Sequence, residues 1–195
     1  MVLSKRMYGN YLEYVKHQKS KLDKEIGWIS SWDKKYTTIL KERLLKDFHE
    51  NEIKGGKVLC LGARLGGEVR SFIELDCFAV GIDLNPGKDN KYVLYGDFHD
   101  IQFPSNSVDI IFTNSLDHVF DVDKLMSEVK RVLNSEGYLI IEIAMGGKPG
   151  DYEAISWENI NEIIEIIKKH GFKLIKKGDI YVPEMGEHCI FKNEN

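Results

Sequence analysis

A glycine-rich turn and the aspartate that follows it are the residues best suited to bind a ligand. The turn, Gly62-Ala63-Arg64-Leu65-Gly66-Gly67, directly follows the apolar run 58–61, and Asp83 ends a second apolar run 21 residues after Gly62. In strand–turn–helix units that bind nucleotides, a carboxylate at this spacing accepts hydrogen bonds from both ribose hydroxyls. The pattern therefore predicts a cofactor that contains adenosine. A plain structural turn without a ligand has the same spacing and stays an alternative.

Arg64 indicates which adenosine-containing cofactor the turn suits. In a dinucleotide-binding turn the equivalent position is glycine, because backbone amides must approach the pyrophosphate there. The long side chain of Arg64 obstructs that approach. S-adenosylmethionine carries no phosphate and tolerates a larger residue at this point. The turn therefore favours S-adenosylmethionine over NAD.

The elements that must position these residues follow the order of an α/β protein. From residue 57 onward, apolar runs of strand length alternate with apolar residues at helical spacing. The runs are continuously apolar, which indicates strands covered on both faces by helices, as in a parallel sheet. The predicted strands are 58–61, 78–82, 92–95, 108–113, 138–143, 172–182 and 188–191, the last two close enough in sequence to pair antiparallel.

The predicted helices are defined by their apolar faces and by residues able to cap them. One helix carries Val69, Phe72 and Ile73. The next two carry apolar residues at 125–133, behind a cap at Asp121 or Asp123, and at 160–167, behind a cap at Ser156. Residues 134–137 (Asn-Ser-Glu-Gly) are predicted to form a turn.

The first fifty residues are predicted to form a separate helical cap on a core that spans 55–195. Apolar residues recur at helical spacing in 8–15 and again in 36–48, with a break at 27–31. Ser31 or Asp33 is predicted to cap the second of these helices. Two helices joined by an elbow are therefore expected. Trp28 and Trp32 in this elbow, together with the tyrosines of the first helix, either cover a substrate or dock the helices on the core.

Composition limits the class of protein. The chain has 195 residues, 43% of them hydrophobic, which suits one domain over 1–195. It contains no apolar run of about 18 residues and no apolar segment typical of a signal peptide, so a cytoplasmic protein without a membrane contact is expected. Cys60, Cys77 and Cys189 lack the spacing of metal ligands and lie in apolar runs. The sequence predicts no metal site.

The charge is unevenly distributed along the chain. The net charge is -4, but residues 1–50 hold 11 Lys plus Arg against 7 Asp plus Glu, which leaves -8 for the remainder. The basic run 16–25 suits either an anionic substrate or a solvated helix face. The acidic core disfavours nucleic acid, whose partners usually present a broad basic surface. A small-molecule or sugar substrate is expected, and the oligomeric state cannot be read from the sequence.

As a series, these segments resemble the class I S-adenosylmethionine-dependent methyltransferases. KVLCLGARLGGEV is similar to their first motif, and GIDL is similar to the second. GDFHDIQFPSNSVDIIFTNSLDHV holds the third and fourth, and KLMSEVKRVLNSEGYLIIEI the last, so that the likeness covers about 55–146. The resemblance implies a three-layer α/β sandwich with a seven-stranded, mostly parallel sheet and a C-terminal antiparallel strand, here preceded by the N-terminal helices.

The resemblance also implies which residues bind S-adenosylmethionine. The turn would lie under the methionyl group, the second strand would supply a ribose ligand, and the segments after the third and fourth strands would bind the adenine and line the cofactor. These positions are Gly62, Ala63, Arg64, Gly66, Asp83, Leu84, Asp97, Phe98, Asn114, Ser115 and Leu116. Cys60 and Arg64 depart from the family, where many members have an acidic residue and a glycine. Arg64 either pairs with the methionyl carboxylate or points to solvent.

Asp117 and His118 are the candidate general bases, since both follow the fourth predicted core strand. Methyl transfer is an in-line attack on a methyl group that the sulfonium already activates, so the protein must align the acceptor and help remove a hydroxyl proton. Histidine suits this task because its ordinary pKa lies near neutral pH. The alternatives are that Asp117 caps a helix and that His118 is common in the family whatever the substrate.

These residues bear on three possible functions. The leading one is methyl transfer from S-adenosylmethionine to a hydroxyl of a small molecule or sugar. A short-chain NAD dehydrogenase would need a Tyr-x-x-x-Lys pair, but Tyr138 and Tyr152 are followed four positions later by Glu142 and Ser156. A non-catalytic module that binds S-adenosylmethionine stays open because of the departures at Cys60 and Arg64.

Overall fold

The computed structural model describes residues 3–49, 52–146 and 150–194. Its strands are β1 (Ser4–Lys5), β2 (Lys57–Leu61), β3 (Phe78–Asp83), β4 (Val93–Tyr95), β5 (Val108–Thr113), β6 (Leu133–Ala144), β7 (Ile155–Ser156), β8 (Phe172–Ile180) and β9 (Gly186–Asn193). Its α-helices are α1 (Tyr11–Asp47), α2 (Gly67–Ile73), α3 (Val122–Val132) and α4 (Ile160–Lys169). A 3-10 turn at Leu116–His118 follows β5. No helix among the described residues is long and apolar enough to cross a membrane.

Seven of the strands form one sheet in the order β4-β3-β2-β5-β6-β9-β8. The pairs from β4 through β6 are all parallel. Strand β9 lies antiparallel between β6 and β8, as the resemblance predicts. The predicted fold is therefore confirmed, and β1 and β7 form a separate antiparallel pair.

Helices cover both faces of this sheet, because the strands are apolar on both sides. Residues that alternate along β2 belong to different clusters: Leu59 packs with the apolar faces of α3 and α4, whereas Val58 and Cys60 pack with α2 and the second half of α1. The first half of α1 reaches the carboxyl ends of the strands. There Tyr14, fully buried, packs with Leu84, the residue after β3.

The prediction of two N-terminal helices is wrong, since α1 is continuous through 27–31. A glycine inside a helix costs only about 1 kcal/mol, and this segment contains no proline to break the hydrogen-bond ladder. Leu22, Ile29 and Tyr36 are buried on either side of Gly27. Their burial outweighs the cost of that glycine, because each large apolar side chain contributes about 1.5 to 3 kcal/mol.

The two residues predicted to cap a second helix lie inside α1 and have other partners. The Ser31 hydroxyl donates to the Trp28 carbonyl oxygen at 2.9 Å. Asp33 instead caps α2, because its carboxylate accepts from the Gly67 amide at 2.8 Å and pairs with Arg70. Asp33, predicted to cap a second N-terminal helix, therefore joins α1 to the first turn of α2.

Three local predictions have different outcomes. Asp121 caps α3, accepting from the Lys124 amide at 3.0 Å, as one of the two alternatives predicted. Ser156 does not cap α4: it lies in β7, and Asn159 is the capping residue. Residues 134–137 belong to β6, and the register with β5 shifts there. In both corrections, pairing with a distant strand outweighs the local preference for a cap or a turn.

Candidate active site

The candidate site lies at the carboxyl ends of β2, β3 and β5, where open parallel sheets bind ligands. Gly62 has φ 69°, and a Cβ on it would lie 2.7 Å from Ser115 Cβ and Oγ. The Ser115 hydroxyl also donates to the Gly62 carbonyl oxygen at 3.3 Å. The turn after β2 and the segment after β5 therefore touch, and only glycine fits between them.

Asp83 lies at the end of β3 beside this turn. One carboxylate oxygen accepts from the Arg64 amide at 3.0 Å, and the other accepts from the Asn85 amide at 2.7 Å. Each oxygen keeps a lone pair for a further donor. The carboxylate lines a small cavity, here the Asp83 cavity, together with Tyr14, Gln18, Lys21, Leu22, Gly62, Arg64, Leu84, Asn85, Phe98, Ser115 and His118.

A larger cavity of about 380 Å³ adjoins it and shares Lys21, Arg64 and His118 with it. We call this space the central cavity. Its volume falls in the usual range for small-molecule sites. The lining is acidic and aromatic and comprises Lys21, Glu25, Trp28, Ile29, Trp32, Asp33, Tyr36, Arg64, Glu68, Asn114, Leu116, Asp117, His118, Glu142, Ala144, Asp151, Tyr152, Glu153, Trp157, Ile180, Pro183 and Glu184.

His118 is buried where the two cavities meet. Its Nδ1 lies 3.0 Å from the Tyr152 carbonyl oxygen, which can only accept, so Nδ1 carries a proton. Its Nε2 lies 3.0 Å from Lys21 Nζ. Burial and the Lys21 ammonium lower the pKa of His118, while the Asp117 carboxylate opposes them. The ring is therefore neutral near pH 7, and its Nε2 lone pair faces the Lys21 ammonium.

Lys21 is a residue of this site that the sequence analysis did not single out. The basic run that contains Lys21 was compatible with an anionic substrate or with a solvated helix face. Burial lowers the pKa of the Lys21 ammonium, and Arg64 adds to the effect. Its contact with His118 joins residues 97 positions apart. No local pattern in the sequence distinguishes Lys21 from its neighbours Lys19 and Lys24.

Asp117, His118 and Glu153 form a group with the donor types of a metal site. One ligand atom from each residue lies within 4.8 Å of the others. Both ring nitrogens of His118 already have partners, however, and Lys21 Nζ lies beside Nε2. A positive charge there opposes a bound cation. That the protein has no metal site stays a prediction.

Asp97, predicted to bind the adenine amino group, is engaged by the protein itself. Its carboxylate accepts from the Tyr11 hydroxyl and, at 2.8 Å, from the His99 amide. Burial raises the pKa of Asp97, but the hydrogen bonds from His99 and Tyr11 outweigh burial and leave that pKa below its usual value. Asp97 thus holds α1 against the segment after β4, and its role toward adenine stays a prediction.

The other predicted residues divide between the cavities and the core. Asn114, Leu116 and Asp117 line the central cavity. Ala63 is fully buried and packs in the core, and Gly66 lies against Tyr92, which a Cβ on it would approach to 2.8 Å. Ala63 and Gly66 therefore shape the turn.

The aromatic residues of α1 also divide by position. Trp28 and Trp32 line the central cavity, and Trp28 remains 56% exposed at its mouth. Tyr8, Tyr11 and Tyr14 instead pack around Phe120 beneath the helix. The docking interpretation is confirmed for the tyrosines, whereas a role of the two tryptophans in covering a substrate stays a prediction.

Part of the chain matches a known protein-family model. Residues 59–141 match the family model described as a methyltransferase domain. No curated protein matches the chain significantly.

Several solved structures share the fold. The 1,6-didemethyltoxoflavin-N1-methyltransferase of Burkholderia thailandensis, bound to 1,6-didemethyltoxoflavin and S-adenosylhomocysteine, is 13% identical with a TM-score of 0.78 over 98% of this chain and 94% of its own. A SAM-dependent methyltransferase of Thermotoga maritima, a possible histamine N-methyltransferase, is 15% identical with a TM-score of 0.68 over 92% and 100%. A SAM-dependent methyltransferase of Aquifex aeolicus is 20% identical with a TM-score of 0.59 over 78% and 89%. At these identities the likeness establishes the fold.

Proposed function

We propose that the chain is a class I S-adenosylmethionine-dependent methyltransferase and that it methylates a hydroxyl of a small molecule or sugar. The observation that carries this proposal is the neutral His118 at the junction of the Asp83 cavity and the central cavity. A proton acceptor at that junction suits a hydroxyl that must lose its proton during transfer. The 380 Å³ of the central cavity suits a small acceptor.

The residues present fit the cofactor. Asp83 keeps lone pairs for ribose hydroxyls, and Leu84 and Phe98 offer apolar surface in the same cavity. When bound, S-adenosylmethionine supplies a methyl group that its sulfonium already activates. Helix α1 contributes Lys21 to both cavities, which supports treating residues 1–195 as one functional unit.

In the proposed reaction, the protein's own residues manage the proton. Tyr152 fixes the His118 ring through Nδ1, and Nε2 accepts the proton of the acceptor hydroxyl. Lys21 holds the ring neutral beforehand and stabilises the developing oxyanion by its charge. Asp117, whose carboxylate lies 3.8 Å from Nε2, stabilises the imidazolium that forms.

A nitrogen acceptor is the second candidate, favoured by the lining of the central cavity. That lining holds eight carboxyl groups against the side-chain cations Lys21 and Arg64, and it includes Trp28, Trp32 and Trp157. Carboxylates and indole faces attract a protonated amine. The toxoflavin enzyme from Burkholderia thailandensis is itself an N-methyltransferase.

A screen of acceptors separates these candidates. Purified protein is incubated with S-adenosylmethionine and with panels of hydroxyl and amine compounds, and formation of S-adenosylhomocysteine is measured. His118→Gln should lower kcat on a hydroxyl acceptor by roughly 10²- to 10⁴-fold, the usual contribution of a general base. Its affinity for S-adenosylhomocysteine should remain at the wild-type level. Turnover of amines alone would contradict the hydroxyl proposal, and cofactor binding without any turnover would favour a non-catalytic module.

A further inference from the structure

Glu153 lies beside the candidate base but takes no part in the proposed proton transfer. One of its carboxylate oxygens lies within 4.8 Å of the Asp117 carboxylate and of a His118 ring nitrogen. Its Oε2 atom is buried and, among the residues that the structure describes, has no hydrogen-bond partner. Burying a carboxylate oxygen without a partner is unfavourable, so this position suits a ligand that donates to it.

Glu184, in the turn between β8 and β9, also lines the central cavity. Partial burial raises the pKa of Glu184, and the Asp117 and Glu153 carboxylates raise it further. Lys21 and Arg64 only partly oppose that rise. Three carboxylates therefore repel one another here, and a bound cation would relieve the repulsion.

Other acids in the lining of the central cavity are paired by the protein itself. Glu142 forms an ion pair with Arg43 at 2.5 Å, which joins β6 to α1. Asp33 pairs with Arg70, which joins α1 to α2. The side chain of Glu153 forms no such pair within the described part of the chain. Its carboxylate is therefore available to a molecule that enters the cavity.

We propose that Glu153 and Glu184 select an acceptor that carries an ammonium group close to the hydroxyl that is methylated. The ammonium group donates hydrogen bonds to the two carboxylates, while the hydroxyl lies beside His118. Amino alcohols, including amino sugars, are the class of substrate with both groups on neighbouring carbons. A protonated nitrogen has no lone pair with which to attack a methyl group, so binding it as a cation directs the transfer to the hydroxyl. This inference rests on the proposed function, because it takes hydroxyl methylation as the reaction.

An ammonium group fits this position better than a metal ion. A metal ion held by Asp117, His118 and Glu153 would need a His118 ring nitrogen, and both nitrogens already have partners. An ammonium group needs only carboxylate oxygens as acceptors. It therefore leaves His118 to the hydroxyl.

The test compares pairs of acceptors in which an ammonium group is replaced by a neutral hydroxyl of similar size. Glucosamine with glucose, and 2-aminocyclohexanol with cyclohexane-1,2-diol, are such pairs. Formation of S-adenosylhomocysteine is measured with the wild-type protein at pH 7, and mass spectrometry locates the methyl group. The amine of a pair should have a kcat/KM at least about tenfold higher than its neutral partner, as expected for a charged hydrogen bond. The methyl group should be found on oxygen.

Three variants assign this preference to the two carboxylates. Glu153→Gln keeps the size of the side chain and should raise KM for the amine by about tenfold or more, with a smaller change in kcat. The KM for the neutral partner should stay at the wild-type level. Glu184→Gln should act in the same direction, and because this residue lies in an exposed turn, it decides the matter if Glu153→Gln does not fold. Glu158→Gln, an exposed change outside the cavity, removes the same charge and should alter neither KM.

Several results would overturn this inference while leaving hydroxyl methylation in place. One is transfer to oxygen without a preference for the amine. Another is an equal rise in KM for both members of a pair, because Glu153 would then act through the shape of the cavity. A requirement for a divalent cation that Glu153→Gln abolishes would show that the carboxylates bind a metal ion instead.

Two further results would reach the proposed function as well. A methyl group found on nitrogen would make the amine the acceptor. Wild-type protein that methylates no hydroxyl of any pair would contradict the proposed reaction, and this inference with it.

Discussion

At the scale of single residues, the site depends on carboxylates that differ in what they bind. Asp83 accepts hydrogen bonds from two backbone amides and still lines a cavity. The Asp97 and Asp33 carboxylates instead form contacts that join α1 to the rest of the protein. Asp83 and Asp97 lie at the ends of neighbouring strands, and Asp33 lies within α1. Their partners, not their residue type, determine which of them is available to a ligand.

Replacement of Asp83 tests the assignment of the ribose ligand. Asp83→Ala should weaken S-adenosylmethionine binding by roughly 1 to 3 kcal/mol, the penalty for leaving polar groups without partners. Titration calorimetry measures the change. Asp23→Ala, an exposed change on α1, is the control and should bind normally. If Asp83→Ala kept wild-type affinity while remaining folded, the ribose assignment would be wrong.

At the scale of elements, α1 connects the layers of the molecule. Its second half packs on the sheet with α2, its Asp33 caps α2, and its first half covers the Asp83 cavity through Tyr14 and Lys21. A shift of this helix would therefore change the site and the core together.

Gly27 is a weak point of α1 that substitution can improve. A Cβ at Gly27 would meet nothing within 4 Å. Gly27→Ala should therefore raise the free energy of unfolding by about 0.5 to 1 kcal/mol, because alanine loses less backbone entropy in a helix. Urea denaturation checks this value.

Gly67 provides the matched comparison for that experiment. A Cβ there would lie 2.7 Å from the Asp33 carbonyl oxygen, so Gly67→Ala should be destabilising. If Gly27→Ala were also destabilising, helix α1 would not be continuous at this point.

At the scale of the whole molecule, one polar network joins α1 to the sheet. His188 in β9 pairs through Nδ1 with Glu142 at 3.1 Å and through Nε2 with Asp47 of α1 at 3.0 Å. Burial lowers the pKa of His188, but the neighbouring Asp47 and Glu142 carboxylates outweigh burial and raise that pKa above its usual value. The network therefore favours the protonated ring.

The sign of the pH dependence follows from this raised pKa. A group whose pKa is higher in the folded than in the unfolded state contributes its full stabilisation of the fold below the unfolded pKa, which is about 6.5 for histidine. That contribution is lost as the pH rises through the folded pKa. His188→Gln should cost about 1 to 3 kcal/mol at pH 6. The difference from wild type should shrink toward pH 9 in urea denaturation. His170→Gln, which alters a more exposed pair with Asp123, is the control variant. A pH-independent difference between His188→Gln and wild type would contradict the role of His188.

Much of the fold could be predicted because its determinants are local. The apolar runs of β2, β3 and β5 are continuous, and the turn at Gly62 requires glycine for a conformation that few other residues adopt. Parallel strands end at a common edge, so Asp83, Ser115 and His118 lie together as soon as the strands are correct. The sequence alone therefore determined the sheet, the turn and the location of the candidate site.

Tertiary structure decided the features that depend on distant partners. Burial on either side of Gly27 keeps α1 continuous, contact across 97 positions places Lys21 on His118, and Asp33 reaches 34 positions to cap α2. The burial of Glu68 is also invisible in the sequence, since it depends on the elements that pack around α2. Local sequence patterns indicate which secondary structure a segment forms. The partners and the protonation states of its polar groups depend instead on the residues that pack against that segment.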